Sequence, residues 1–264
     1  MRQSAGLLLV LVVGGLAMLE LAGCAARTPA PPVAPAPLND LMAALNDRER
    51  QLTTLQSDAV MEYSGSDGHL KVREQLTVAR PASLRVEAES ALGVALVVTA
   101  NANEIAVFDP GRDTLARGAA SAATLERVAH IPMRPEEAVR LLLALPPNPP
   151  DAPVFSDHET VLTTGADGVR DELFFSEGNL AEVRETSASG ALLLTVAYRD
   201  YRDIGSLLFP CTIEATFPAE ATTIRVRYGS PLIDLPVAQS TFVLSPGPRT
   251  REISLGRNDA PPHA

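Results

Sequence analysis

Few side chains in this 264-residue chain are of the types that do covalent or metal chemistry. There are two cysteines and four histidines. His69, His130, His158 and His263 keep no metal-ligand spacing to one another or to either cysteine. The sequence has no Gly-x-Ser-x-Gly elbow, no phosphate-binding glycine loop and no Cys–His pairing. Asp and Glu are abundant, and scattered carboxylates of this kind ordinarily make a solvated face. The chain is therefore not expected to be an enzyme, and neither a metal nor a cofactor is expected.

Cys24 is the position where residue type and spacing do imply chemistry. Arg2 precedes the apolar run Leu7 to Leu19, and Leu21-Ala22-Gly23-Cys24 follows. The run is too short to span a bilayer and has the layout of a secretory signal. Leu-Ala-Gly-Cys fits the bacterial lipobox, in which cleavage leaves the cysteine as a diacylated N-terminus. Residues 1–23 are then a signal peptide and Cys24 the lipidation site. The alternative is ordinary cleavage after Ala22 or Ala26, which leaves a free thiol. Glu20, a charge just before the lipobox, departs mildly from the motif. Ala25 rather than Asp follows the cysteine, which favours the outer membrane, with the domain on its periplasmic face. Cys211 shares the parity of Phe209, Ile213 and Phe217, and reads as buried apolar filler.

The elements that surround these positions follow from composition and period. Residues 24–37 are a Pro/Ala-rich tether; as polyproline II, Ala25 to Pro37 reaches roughly 40 Å at about 3.1 Å per residue. Leu41, Leu45, Leu52 and Leu55 predict a helix over 38–55, and Arg134 to Leu145 a second, opened by Pro135 and stopped by Pro146. Ser121 to Ala129 also reads as helical. Elsewhere the period is two. Leu84, Val86 and Ala88 alternate with Arg85, Glu87 and Glu89, and Val94, Leu96 and Val98 repeat the pattern. Further strands are predicted from Ala59 to Ser64, Leu70 to Val78, and through the second half to Thr241–Leu244. Glu74 breaks the apolar parity of its strand, at a rim or at a bulge. The loop from Pro146 to Asp157 is proline-rich, and the chain from Pro246 reads as loose, although Ile253 and Leu255 are able to dock. One apolar face over many short strands means an antiparallel sheet that curls on itself under a helical cover. The concave face then packs solid or stays hollow, and the pattern fits both.

The net charge of −10 argues against nucleic-acid binding and against a polybasic grip on anionic lipid. With no Trp, a base-stacking platform is not expected either.

Ala79 to Pro110 carries a resemblance. Arg80-Pro81, the strand opening at Leu84-Arg85 and the loop with Leu92-Gly93 resemble the LolA/LolB outer-membrane lipoprotein sorting family. So do the helix from Glu136 that closes in Leu145-Pro146, the strand around Phe209-Pro210, and Phe242 with Leu244-Ser245-Pro246. The resemblance covers about Leu38 to Leu255, and the lipobox brings the chain closer to the lipid-anchored receptor LolB than to the soluble carrier. It implies a mainly β domain over 38–255, an unclosed antiparallel β-barrel of about ten or eleven strands under a helical lid, with a loose tail at 256–264. It also implies a monomeric receptor that takes lipoprotein acyl chains from a periplasmic LolA-like carrier and inserts them into the outer membrane. The alternative is an envelope lipoprotein that uses the same barrel to bind another protein or lipid. A hollow face would be lined by Leu84, Val86, Leu96, Val98, Leu192, Leu194, Ile213 and Ile224, with Leu141, Leu142 and Leu145 from the lid. By the same resemblance Arg80 contacts lid backbone, against the plain reading of an exposed strand-end arginine. The resemblance also implies that Leu92, before the turn-forming Gly93, is an exposed membrane-inserting tip, against the plain reading of a leucine folded back on the core.

Overall fold

The computed structural model describes residues 38–149, 153–155, 160–164 and 168–255. The expected signal peptide, the tether with Cys24 and the tail from 256 lie outside them. Helix α1 spans Leu38–Gln51, with Asp40 in its first turn and Arg48 and Arg50 in its last, the charge order that complements the helix dipole. It stops short of the expected Leu55. Thr53 donates its backbone N–H (2.9 Å) and its hydroxyl (2.7 Å) to the Asp234 carboxylate, and Leu55 already belongs to a strand. Leu52 and Leu55 still enter the same core as Leu41 and Leu45, so the apolar spacing runs on past the helix end.

Six strands follow as an up-and-down meander. They are β1 (Thr54–Gly65), β2 (Gly68–Ala79), β3 (Ser83–Ser90), β4 (Gly93–Ala100), β5 (Glu104–Asp109) and β6 (Thr114–Ala119). Glu74 pairs in unbroken register with Ala59 and Ala88, so no bulge accompanies its break in the pattern.

Two helices come next. In α2 (Ala122–Ala129) the Ser121 hydroxyl accepts the Thr124 N–H (3.2 Å), and His130 closes the helix in a left-handed conformation. In α3 (Pro135–Leu142) the Arg134 N–H donates to the Glu137 carboxylate (2.8 Å). The chain leaves the helix before the expected Leu145. Ala144 takes a φ of 53°, and the Leu145 N–H donates to the Arg140 carbonyl (2.9 Å). This stop turns Leu143, Ala144 and Leu145 into the core.

The second meander comprises β7 (Pro153–Phe155), β8 (Thr160–Thr164), β9 (Arg170–Ser176), β10 (Asn179–Thr186), β11 (Leu192–Ile204), β12 (Leu207–Phe217) and β13 (Thr222–Tyr228). β13 returns to pair with β1, from Ala59 opposite Tyr228 to Ser64 opposite Thr223, and so makes one sheet of the two meanders. β14 (Leu232–Ile233) adds to β1, and β15 (Arg251–Ser254) runs parallel to β6. β15 and β7 end the strand order on opposite sides, so the barrel is unclosed. α2 packs on β5, and α3 on β2 and β3, as the lid. The expected class is therefore observed, with 15 strands among the described residues in place of about ten or eleven. Part of the difference is the short pieces β7, β14 and β15, too brief to show a period.

Two local expectations change. Thr241–Leu244 is not a strand: Gln239–Phe242 forms a 3₁₀ turn that buries Phe242 and leaves Val243 exposed. The segment after Pro246 docks through β15, where the Leu255 N–H donates to the Arg117 carbonyl (2.6 Å).

The inner face holds the core, and the outer face carries ion pairs. Glu62 meets Lys71 and Arg227 at 2.9 Å each, and Arg225 bridges Glu62 to Glu214. Val161, Leu173, Val183, Val196 and Phe209 of the second meander are fully buried in one cluster with Leu52, Leu55, Leu143 and Leu145. Among the described residues that side of the inner face is filled by buried side chains.

Candidate functional site

The other side is hollow. A cavity of about 540 Å³ lies between the first meander, β12, β13 and the two lid helices. Leu84 and Val86 of β3 and Leu96 and Val98 of β4 form one wall. Cross-strand register sets Val86 opposite both Leu76 and Val98, so one row of apolar side chains crosses three strands. Ile213 of β12 and Ile224 and Val226 of β13 form the facing wall, and Leu125, Leu141 and Leu142 the roof. The volume falls in the range of about 300–1,000 Å³ usual for ligand sites, and the lining is predominantly apolar.

Three expected lining residues stand elsewhere. Leu145 and Leu194 are buried in the solid side, outside the cavity lining. The left-handed stop after α3 carries Leu145 away from the roof, and the Tyr198 hydroxyl donates to its carbonyl (3.0 Å). Leu192 opens β11 beside a register shift at Glu185/Thr186 and is half exposed, beyond the core it shares parity with.

Gly68, His69 and Leu70 also line the cavity, and Leu70 is exposed, so the cavity opens at the β1–β2 turn. At this rim the Tyr63 hydroxyl donates to Asp67, and His130 Nδ1 stands 3.7 Å from the other Asp67 oxygen. The Tyr63 and His130 rings lie 5.0 Å apart, which ties the end of α2 to the turn. The hydrogen bond from Tyr63 lowers the Asp67 pKa. In an antiparallel meander the β3–β4 turn falls at the same end as the β1–β2 turn. Leu92 at its tip is fully exposed, with Val94 also exposed beside it. Gly93 takes a φ of 112°, which its missing Cβ permits, and the Ser90 hydroxyl accepts the Leu92 N–H (3.2 Å) and donates to the Gly93 carbonyl (2.9 Å).

One polar side chain lies inside. Glu74 is 5% exposed, shares the inner face of β2 with Val72 and Leu76, and lines the cavity. Burial pushes its carboxyl up to about 7.

Arg80 contacts helix backbone at the last turn of α1, one of the helices expected to cover the sheet. Its guanidinium donates to the Glu49 carbonyl (2.6 Å) and to the Glu49 carboxylate (3.0 Å). Arg140 of α3 donates to the same carboxylate (2.6 Å) and to the Pro146 carbonyl (2.8 Å). Glu49, held ionised chiefly by the hydrogen bond from Arg140, therefore links Arg80, α1 and α3. Arg48 is anchored nearby, donating to the carbonyls of Ala144 (3.2 Å) and Leu208 (2.8 Å) over the ring of Phe209. Sequence reading missed this junction, because Glu49 and Arg140 lie 91 residues apart. It registered Glu74 only as a broken parity. Cys211 is buried on the expected face.

Among the described residues no group of three or more His, Cys, Asp or Glu is placed to hold a metal ion, and no helix is long and apolar enough to cross a membrane.

No protein-family model matches the sequence, and no curated protein matches it. Solved structures do. A LolA superfamily protein from Nitrosomonas europaea superposes with a TM-score of 0.52 at 15% identity, over 77% of this chain and 97% of that one. A DUF1329 family protein from Desulfovibrio piger gives 0.52 at 10% identity, over 77% and 95%. A domain from Vibrio parahaemolyticus, described as an outer membrane lipoprotein-sorting protein, gives 0.51 at 8% identity, over 77% and 94%. At these identities the likeness is one of fold, and the chain has the open, lidded β-barrel of the LolA/LolB-like proteins.

Proposed function

We propose that this protein binds lipid acyl chains in the cavity and passes lipoproteins to the outer membrane, to which Cys24 anchors it. In this reading a LolA-like periplasmic carrier delivers the lipoprotein at the rim of the barrel. The carrying observation is the apolar cavity of about 540 Å³ opening at the end of the sheet where Leu92 stands in solvent. Each methylene moved from water into such a space gains about 0.8 kcal/mol, so transfer needs no nucleotide, only a rising affinity from carrier to receptor to bilayer. Leu92 entering the acyl region gains roughly 1.5–3 kcal/mol, too little to anchor a protein but enough to hold the rim briefly against a tethering membrane. Glu87 and Glu89 on the same hairpin oppose close approach to anionic lipid and favour release.

Loading and delivery of a lipoprotein, measured separately with Leu92→Glu, test the reading. The variant is expected to accept a lipoprotein from the carrier and to fail in passing it to liposomes. Equal delivery by variant and wild type would assign Leu92 to ordinary loop structure and remove the insertion step.

A further inference from the structure

Glu74 sets this cavity apart from a plain hydrocarbon slot. Its neighbours along and across the sheet are Val72, Leu76, Ala59 and Ala88. β3, β4 and α3 present apolar side chains to the cavity. The titratable groups that line the cavity with it are Tyr63, Asp67, His69, Arg127 and His130. They belong to the rim and to α2. Leu70, at that rim, is roughly 13 Å from Glu74 along β2 at about 3.3 Å per residue. Asp67 is engaged by Tyr63 and His130, and Arg127 donates to the Leu255 carbonyl (3.3 Å). From β13 the nearest titratable group is buried Tyr228, whose hydroxyl is spent on the Leu142 carbonyl (2.8 Å). Cys211 of β12 lies beside Tyr228, and burial raises its thiol as well. No protein group among the described residues hydrogen-bonds the Glu74 carboxyl. A buried polar group without a protein partner requires one from elsewhere, and the carboxyl lines a space large enough to admit it.

We propose that Glu74 is the polar recognition group of the cavity: its protonated carboxyl donates a hydrogen bond to an ester or amide carbonyl of a bound acyl ligand. This rests on the reading of the cavity as an acyl-chain site and adds the ligand class, a chain that carries a carbonyl at the depth of Glu74. It also makes binding proton-coupled. A ligand filling the cavity strips water from the carboxyl and bonds its neutral form, so occupancy favours the proton and affinity falls as pH rises. Burial has already brought the free carboxyl to about 7, so the coupling falls near neutral pH.

Equilibrium binding of radiolabelled methyl laurate and of an n-alkane of matched chain length, between pH 5.5 and 9, tests this on wild type, Glu74→Gln and Glu74→Leu. Wild type at pH 6 is expected to prefer the ester by about fivefold, the worth of one net hydrogen bond. Its affinity is expected to fall by up to about tenfold per pH unit above the midpoint. Glu74→Gln keeps an N–H donor and should keep the preference without the pH slope. Glu74→Leu should lose both while binding the alkane at least as well. Equal ester-to-alkane ratios in wild type and Glu74→Leu, or the same pH slope in wild type and Glu74→Gln, would overturn the proposal. If neither ligand binds any of the three proteins, the acyl-cavity reading fails, and this inference with it. A ¹³C titration of the Glu74 carboxyl in wild type needs no variant. Its midpoint should rise on addition of methyl laurate, and an unchanged midpoint refutes the contact.

Discussion

Glu74→Gln carries a consequence for folding that is independent of any ligand. The carboxyl is 5% exposed, and burial lifts it from 4.5 to about 7. A carboxyl whose folded value is raised is protonated in both states below the unfolded value, so its full contribution to stability is present there. Between about 4.5 and about 7 the unfolded chain releases the proton that the folded chain keeps, and stability falls by about 1.4 kcal/mol per pH unit. Over that interval the loss sums to about 3 kcal/mol and is constant above it. Glutamine is nearly isosteric and cannot ionise. Urea denaturation of both proteins at several values between pH 4 and 8.5 isolates this one group, because every other titration cancels in the difference. Wild type should lose about 3 kcal/mol relative to Glu74→Gln between the two ends, or about 6–12 °C in Tm for a domain of this size. A difference that stays flat with pH would mean that water reaches the carboxyl freely and that the cavity is wet at its depth.

Glu49→Ala leaves Arg140, 7% exposed, without its carboxylate, and should cost about 3–5 kcal/mol in urea denaturation. Wild-type stability from this group should be present above its unfolded value and lost as pH falls through its lowered folded value. Val98→Phe puts a larger side chain into the cavity wall and should abolish acyl-probe binding while shifting Tm little; unchanged binding would place the acyl site elsewhere. Cys24→Ala should move the protein from the membrane to the soluble fraction and abolish fatty-acid labelling, as cell fractionation would show.

The alternating strands were legible because one face of each is apolar and the other charged, as at Leu84, Val86 and Ala88. The exposed turn at Leu92 was legible through Gly93, which accepts a backbone that few other residues tolerate. What escaped is tertiary. Leu145 continues the α3 pattern, but the left-handed Ala144 diverts it, and no residue type announces that bend. Leu194 has the same parity as a cavity residue and differs from one only in lying on the solid side of the sheet. Whether an inner face is packed or open depends on what lies across it, which a strand's own sequence does not encode. Glu74 shows the converse. Its break in parity was visible, but an acid at a rim and an acid inside a cavity look alike until the register is known.

The pairing of β1 with β13 has a consequence for how this protein comes into being. Each meander is built from neighbouring hairpins that can form as soon as their own residues are present. The seam between them joins Ala59 to Tyr228, so the earliest strand waits for almost the latest before its second edge is covered. Such distant closure makes folding slow and leaves a β1 edge open until β13 has been made. A shortened chain that lacks β13 would lose the last hairpin, keep the others of both meanders, and have no seam to join them. The first strand of the sheet is thus completed only when a strand roughly 170 residues later has been made.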